Sequence, residues 1–224
     1  MKYLFLLLLL FSCGAKKDER HTEIKKNDSL VTYTFNKKVL DKAKLDLQNS
    51  FKKSKKDIIF LGDSKTEGFP LQETFNNLNI KNRGIAGNTT SDVLSRLKFV
   101  TDGKPKEIFL EIGVNDISQD IPVVKTFENF KNICERIKKE TPTTKLYIQS
   151  VLPTTLENKL LNPKIQQYND LLNSYCKNNK LTFIDLNSHF LSGSEMNKKY
   201  TIDGIHLNAA GYLLWGELLK KHVL

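Results

Sequence analysis

Short apolar runs that alternate with longer amphipathic stretches constrain this chain most. Residues 58–61 (Ile-Ile-Phe-Leu) end at Gly62, and 108–112 end at Gly113. Residues 146–148 with 151–152 form a third run, 181–184 a fourth, and 79–82 a weaker fifth. Between them, 91–99, 123–139, 165–178 and 209–223 place large apolar residues three and four apart, as one face of a helix does. Strands that are apolar throughout are buried on both faces, and strands alternating with helices make a parallel sheet covered on both sides. The expectation is an α/β fold: three layers, a five-stranded parallel sheet in an open flavodoxin-like order, and helices on both faces. An earlier amphipathic stretch, 39–51, is expected to pack on this body as an N-terminal helix. In such sheets a site forms beyond the carboxyl ends of the strands, so functional residues should follow Leu61 and Ile112.

The chain has 224 residues, of which 39% are hydrophobic and 27% charged, enough for one domain that needs no disulfide or metal to hold it. Its net charge of +10 comes almost wholly from lysines spread along the chain. The one dense run, Lys52, Lys53, Lys55 and Lys56, has no interleaved aromatics for stacking on bases, so it reads as a solvated face and a nucleic-acid partner is not expected.

The N-terminus reads as a targeting segment. Lys2 precedes an apolar run at 3–11, too short to span a bilayer but the length of a signal-peptide core. Leu10-Phe11-Ser12-Cys13-Gly14 resembles a bacterial lipobox, which implies lipidation of Cys13. The expected organisation is a lipoprotein signal peptide at 1–12, a polar flexible tether at 13–30, and a catalytic domain at 31–224. The expected location is a bacterial membrane, held by the lipid anchor. Lys16-Lys17-Asp18-Glu19 resembles signals that send lipoproteins to the outer membrane or cell surface. Cys134 and Cys176 sit on the apolar stripes of two helices and read as small core residues, with a disulfide between them the minority alternative.

Four loop motifs fall where the sheet rule puts them. Gly62-Asp63-Ser64 follows the first run, 82–88 (Asn-Arg-Gly-Ile-Ala-Gly-Asn) the weak second strand, Gly113-Val114-Asn115-Asp116 the next, and Asp203-Gly204-Ile205-His206 comes just before the last helix. Acyl transfer needs these residue types. A serine hydroxyl is a weak nucleophile without a base, and imidazole titrates near neutral pH. The second ring nitrogen needs an acceptor to fix its tautomer, and Asp203 is three residues from His206. The oxyanion needs donors, which the Ser64 and Gly87 backbone N–H groups and the Asn115 amide can supply. Asp63 and Asp116 read as loop braces, Arg83 as a loop salt bridge or, at lower weight, a substrate contact, and His189 as structural.

With these residues in place the chain resembles the SGNH hydrolases, the GDSL-type esterase and lipase superfamily, whose name matches Ser64, Gly87, Asn115 and His206. Its motifs are most similar to the platelet-activating-factor acetylhydrolase-like and carbohydrate O-acetyl esterase branch, with Phe69-Pro70 where that branch often has tryptophan. The resemblance implies a serine esterase with catalytic Ser64, His206 and Asp203, an oxyanion hole of Ser64, Gly87 and Asn115, and no cofactor or metal. It also implies short-chain, chiefly O-acetyl, esters on carbohydrate. A phospholipid or lysophospholipid acyl ester is the second reading and a non-catalytic glycan-binding lipoprotein the third. A Gly-x-Ser-x-Gly elbow is missing because Thr66 occupies the second glycine position, and no His-Glu-x-x-His pattern is present. A two-carboxylate glycosidase would leave the Ser, Asn and His placement unexplained.

Overall fold

A computed structural model describes residues 36–223; the expected signal peptide, Cys13, the expected tether and the start of the expected domain at residue 31 lie outside the described residues. Residues 37–224 form one compact unit. Five parallel strands, β1 (Ile58–Gly62), β2 (Ile80–Gly84), β3 (Glu107–Glu111), β4 (Lys145–Gln149) and β5 (Thr182–Ile184), pair in the order β2-β1-β3-β4-β5. This is the expected open flavodoxin-like sheet. The helices are α1 (Lys37–Ser50), α2 (Ser64–Glu67), α3 (Leu71–Phe75), α4 (Thr90–Arg96), α5 (Lys98–Thr101), α6 (Val114–Ser118), α7 (Val123–Glu140), α8 (Asn162–Asn179), α9 (Asn187–Phe190) and α10 (Ala209–Val223). A short antiparallel hairpin of β6 (Leu191–Ser192) and β7 (Glu195–Met196) was not foreseen; two residues per strand leave no period to read.

The alternation within β1 shows why its run is apolar throughout. Ile59 and Leu61 enter a core with Val93, Leu97, Phe130, Ile133 and Leu172, which come from α4, α7 and α8 and the residue after α4. Ile58 and Phe60 enter a second core with Phe69, Phe75, Phe190, Trp215 and Leu219. Phe60 and Phe109 stack across the strands at 4.7 Å, and Phe109 stacks on Tyr147 at 4.4 Å. Among the described residues, both cores run from Ile58 to Val223, and a chain beginning at Gly14 keeps all of these side chains. Cys134 and Cys176 are buried free thiols. Burial drives the Cys134 thiol well above the usual range and Cys176 up to about 12, so neither is a nucleophile.

Two expectations are corrected. β4 ends at Gln149 and does not run on to residue 152, because the Asn169 side-chain amide takes the Val151 N–H (2.8 Å) and C=O (2.9 Å) and draws the chain out of the ladder. The N-terminal helix forms, but it buries none of its residues. A Lys44–Glu67 ion pair of 2.5 Å ties it to the body.

Candidate active site

The chain crosses from one side of β1 to the other between β2 and β3, so the carboxyl ends of β1 and β3 flank a crevice. Ser64 opens α2 directly after β1, and Asn115 is the second residue of α6, just after β3. Asp63 caps α2 by accepting the Lys65 N–H at 3.0 Å, which fixes the turn presenting Ser64. Ser64 has no residue four back within its helix, so its N–H faces outward as a donor.

His206 arrives from the opposite direction, on the loop before α10. Its Nε2 lies 3.0 Å from Ser64 Oγ, and its Nδ1 lies 2.6 Å from Asp203 Oδ2. The other Asp203 oxygen accepts the Ile205 (3.0 Å) and His206 (2.7 Å) backbone N–H groups, so the carboxylate is clamped before it orients the ring. Its partial burial alone raises its pKa; these donors outweigh that and hold it below the usual range. Gly204, between them, has φ +91°, and a Cβ there would come within 2.6 Å of the Thr155 carbonyl oxygen. Only glycine fits, and its own carbonyl accepts the Thr155 N–H at 2.9 Å.

Of the expected oxyanion donors, Asn115 is held next to the Gly87 loop. Gly87 has φ +75°, in the left-handed region that favours glycine. The Asn115 amide donates to the neighbouring Asn88 carbonyl at 2.9 Å. That bond uses one of its two N–H groups and leaves the other for a ligand. The structure therefore brings Ser64, His206 and Asp203 into one relay and holds Asn115 against the Gly87 loop. Asp116 braces that loop by accepting the Thr90 N–H (2.9 Å) and hydroxyl (2.5 Å). Arg83 donates to the Asn82 carbonyl (2.9 Å), and among the described residues it forms no salt bridge with a carboxylate. His189 is exposed on α9.

Three supporting residues escaped the sequence reading. Buried Arg96 donates through Nε to Asn88 Oδ1 (2.7 Å) and through Nη2 to the Gly62 carbonyl (3.1 Å), strapping the Gly87–Asn88 loop to the strand before Ser64. Burial draws its pKa down to about 10, with Asp92 opposing. Lys65 and Glu111 are buried with Asp63 directly beneath the nucleophile turn. Lys65 Nζ lies 3.7 Å from Asp63 Oδ2 and 3.5 Å from Glu111 Oε1. The signal was present: a glutamate in the apolar run at 108–112 and an arginine among Val93 and Leu97 are charges that burial tolerates only when partnered.

The model of the GDSL-like lipase/acylhydrolase family matches residues 60–214. An N-acylneuraminate cytidylyltransferase of Streptococcus agalactiae is 27% identical over 148 residues, 66% of this chain and 34% of that protein. The chain thus spans about a third of that relative's length. Human platelet-activating factor acetylhydrolase IB subunit alpha2 is 29% identical over 164 residues, 70% of this chain and 71% of that one. The crystal structure of a GDSL-like lipase from Bacteroides thetaiotaomicron superposes with a TM-score of 0.73 at 26% identity, covering 81% of this chain and 95% of that one. Fold, strand-end motifs and these matches agree: the chain belongs to the GDSL-like lipase/acylhydrolase family, the SGNH hydrolases.

Proposed function

We propose that this esterase removes short acyl groups, chiefly O-acetyl, from carbohydrate, with Ser64 as nucleophile, His206 as general base and Asp203 as its orienting partner. The observation that carries the mechanism is the unbroken relay from Ser64 Oγ through His206 to Asp203. With the imidazole proton on Nδ1, Nε2 takes the Ser64 proton as Oγ attacks the ester carbonyl. The oxyanion is met by the Ser64 and Gly87 N–H groups and the free N–H of Asn115. His206 then returns the proton to the leaving alcohol, and water, activated by the same imidazole, releases the acid and frees Ser64.

The substrate class rests on the mouth of the site. The His206 and Asp203 side chains are 42% and 49% exposed, so an ester projecting from a bulky hydrophilic chain can reach Ser64. Thr155, which holds Gly204, also donates to Glu195 (2.7 Å). Beyond it lies a cleft of about 490 Å³ whose mainly apolar lining, Leu160, Ile165 and Leu191 among it, also carries Lys159, Gln166 and Glu195, groups suited to sugar hydroxyls. The relative named for N-acylneuraminate supports an acetylated sugar acid as a candidate. The platelet-activating factor acetylhydrolase supports the second reading, a phospholipid or lysophospholipid acyl ester. Acetate release from a panel of acetylated glycans and phospholipids should be fastest with a glycan. p-Nitrophenyl acetate should turn over faster than the octanoate, and the reverse order would overturn the short-chain assignment.

We also propose that Cys13 carries the lipid that holds the enzyme to a bacterial membrane, at the outer membrane or cell surface, on the strength of the lipobox-like 10–14 sequence. Cells grown with labelled palmitate should label the protein, and Cys13→Ser should abolish the label. Label retained in that variant would remove the anchor from Cys13.

A further inference from the structure

We infer that α1 and the lysine run behind it form a second, peripheral membrane-binding element that lies on an anionic bilayer surface. The helix is amphipathic in the wrong sense for packing on its own domain. Asp41, Lys44, Leu45 and Gln48 are its less exposed residues, and none is buried. Its apolar stripe faces elsewhere. Leu40 and Leu47 are 44% and 58% exposed and recur with Ala43 three and four residues apart, and Phe51, just past the last helical residue, is 55% exposed. Such spacing aligns them along one side of a helix. Solvent-facing leucine and phenylalanine in a continuous row are costly unless something covers them.

Charge identifies what covers them. From Lys37 to Lys56 the chain has eight lysines against two aspartates, Asp41 and Asp46. The Lys37–Asp41 and Lys44–Glu67 pairs neutralise some, but Lys38, Lys42, Lys52, Lys55 and Lys56 are exposed. An apolar stripe flanked by lysines matches the interface of an anionic bilayer: acyl chains take the stripe and headgroups take the ammonium groups. A second copy of this chain would bring two such basic faces together and be repelled. An acidic polysaccharide would satisfy the lysines and leave the stripe in water.

Position gives the contact a consequence. A Cβ built on Gly87 would lie 3.5 Å from Lys37 Cε. Glu67, the partner of Lys44, also accepts the Ala86 N–H. The helix that carries the bilayer-binding stripe therefore runs beside the Gly87 loop, with its body-facing side toward that loop. This inference depends on neither the substrate class nor the Cys13 lipid.

The test uses a chain starting at Gly14, which has neither signal peptide nor Cys13 but keeps both cores. In sedimentation with phosphatidylglycerol vesicles at low salt it should bind, binding should fall steeply with added salt, and phosphatidylcholine vesicles should bind it weakly. Leu47→Ser with Phe51→Ser should lower the partition coefficient about tenfold or more. Turnover of soluble p-nitrophenyl acetate by that variant should match the unsubstituted chain, showing that the fold and site are kept. No binding to anionic vesicles would overturn the inference. So would binding that the double substitution leaves unchanged, since charge alone would then explain it. A dimer that the same substitution dissolves would assign the face to a second copy instead.

Discussion

Ser64→Ala is expected to lower kcat on p-nitrophenyl acetate by about 10⁴-fold or more while leaving urea unfolding unchanged. The size follows from the geometry. Ser64 Oγ is the group His206 can deprotonate at 3.0 Å, and no other nucleophile is placed in the relay. The thiols of Cys134 and Cys176 are buried and held protonated, so they offer no substitute. Residual rate would come from the oxyanion donors acting on a bound ester. Because nucleophile and base work as a unit, His206→Ala should cost a similar factor, and the double variant should be scarcely slower than either single one. Asp203→Asn should cost less, roughly 10²-fold to 10³-fold, because its half-exposed carboxylate is screened by water that a buried orienting aspartate excludes. A stoichiometric organophosphate should add one mass increment to the wild type, on the peptide containing Ser64, and none to Ser64→Ala. Turnover that survives Ser64→Ala would assign the chemistry to another residue.

That prediction rests on residues legible in the sequence. The strand-end rule required functional groups after Leu61 and Ile112, and Ser64 and Asn115 stand there. Periodicity located all five strands, because β1, β3 and most of β4 are buried on both faces and so consist of apolar runs. It misjudged the end of β4 because Val151 and Leu152 are buried, and a buried residue beyond a ladder looks like one within it. What stops the strand is a side chain, Asn169, that lies distant in sequence. The helix at 37–50 shows the opposite limit. Its pattern correctly announces an amphipathic helix, but a pattern states which residues share a face and not what that face meets. The straps behind the site were the least legible part. Arg96, Lys65 and Glu111 act through partners as far as 46 residues away in sequence, and a lone charge in an apolar stretch signals only that some partner exists.

Lys65→Met should destabilise the protein by about 3–5 kcal/mol, the usual consequence of removing one partner from a buried ionic cluster. Lys65 is 1% exposed, and Asp63 and Glu111 are fully buried. Asp63 Oδ2 and both Glu111 oxygens accept no conventional hydrogen bond, so the Lys65 ammonium is their main compensation. One cation facing two carboxyls is neutral only if one carboxyl keeps its proton. Burial pushes Glu111 up to about 8 even though Lys65 pulls the other way, so Glu111 is the one that keeps it. Burial likewise pulls Lys65 down, but the two carboxyls outweigh it and hold the ammonium above its usual range.

The folded protein thus binds a proton at Glu111 that the unfolded chain has released above about 4.5. Stability is full below that pH and falls as pH rises through the folded value near 8. Urea midpoints measured across this range should decline, and Glu111→Gln, which cannot ionise, should flatten the decline. A flat wild-type profile would mean that Glu111 is already ionised at low pH and that Lys65 neutralises it. Pairing Lys65→Met with Glu111→Gln should recover part of the lost stability, because the double variant leaves fewer buried carboxyls unpaired. The cluster bears on catalysis through its backbone. The Lys65 carbonyl accepts the Tyr212 hydroxyl at 3.1 Å, tying the Ser64 turn to α10, the helix that follows His206. Loosening the cluster should therefore lengthen the Ser64–His206 contact, and Lys65→Met should lose kcat at temperatures where it is still folded.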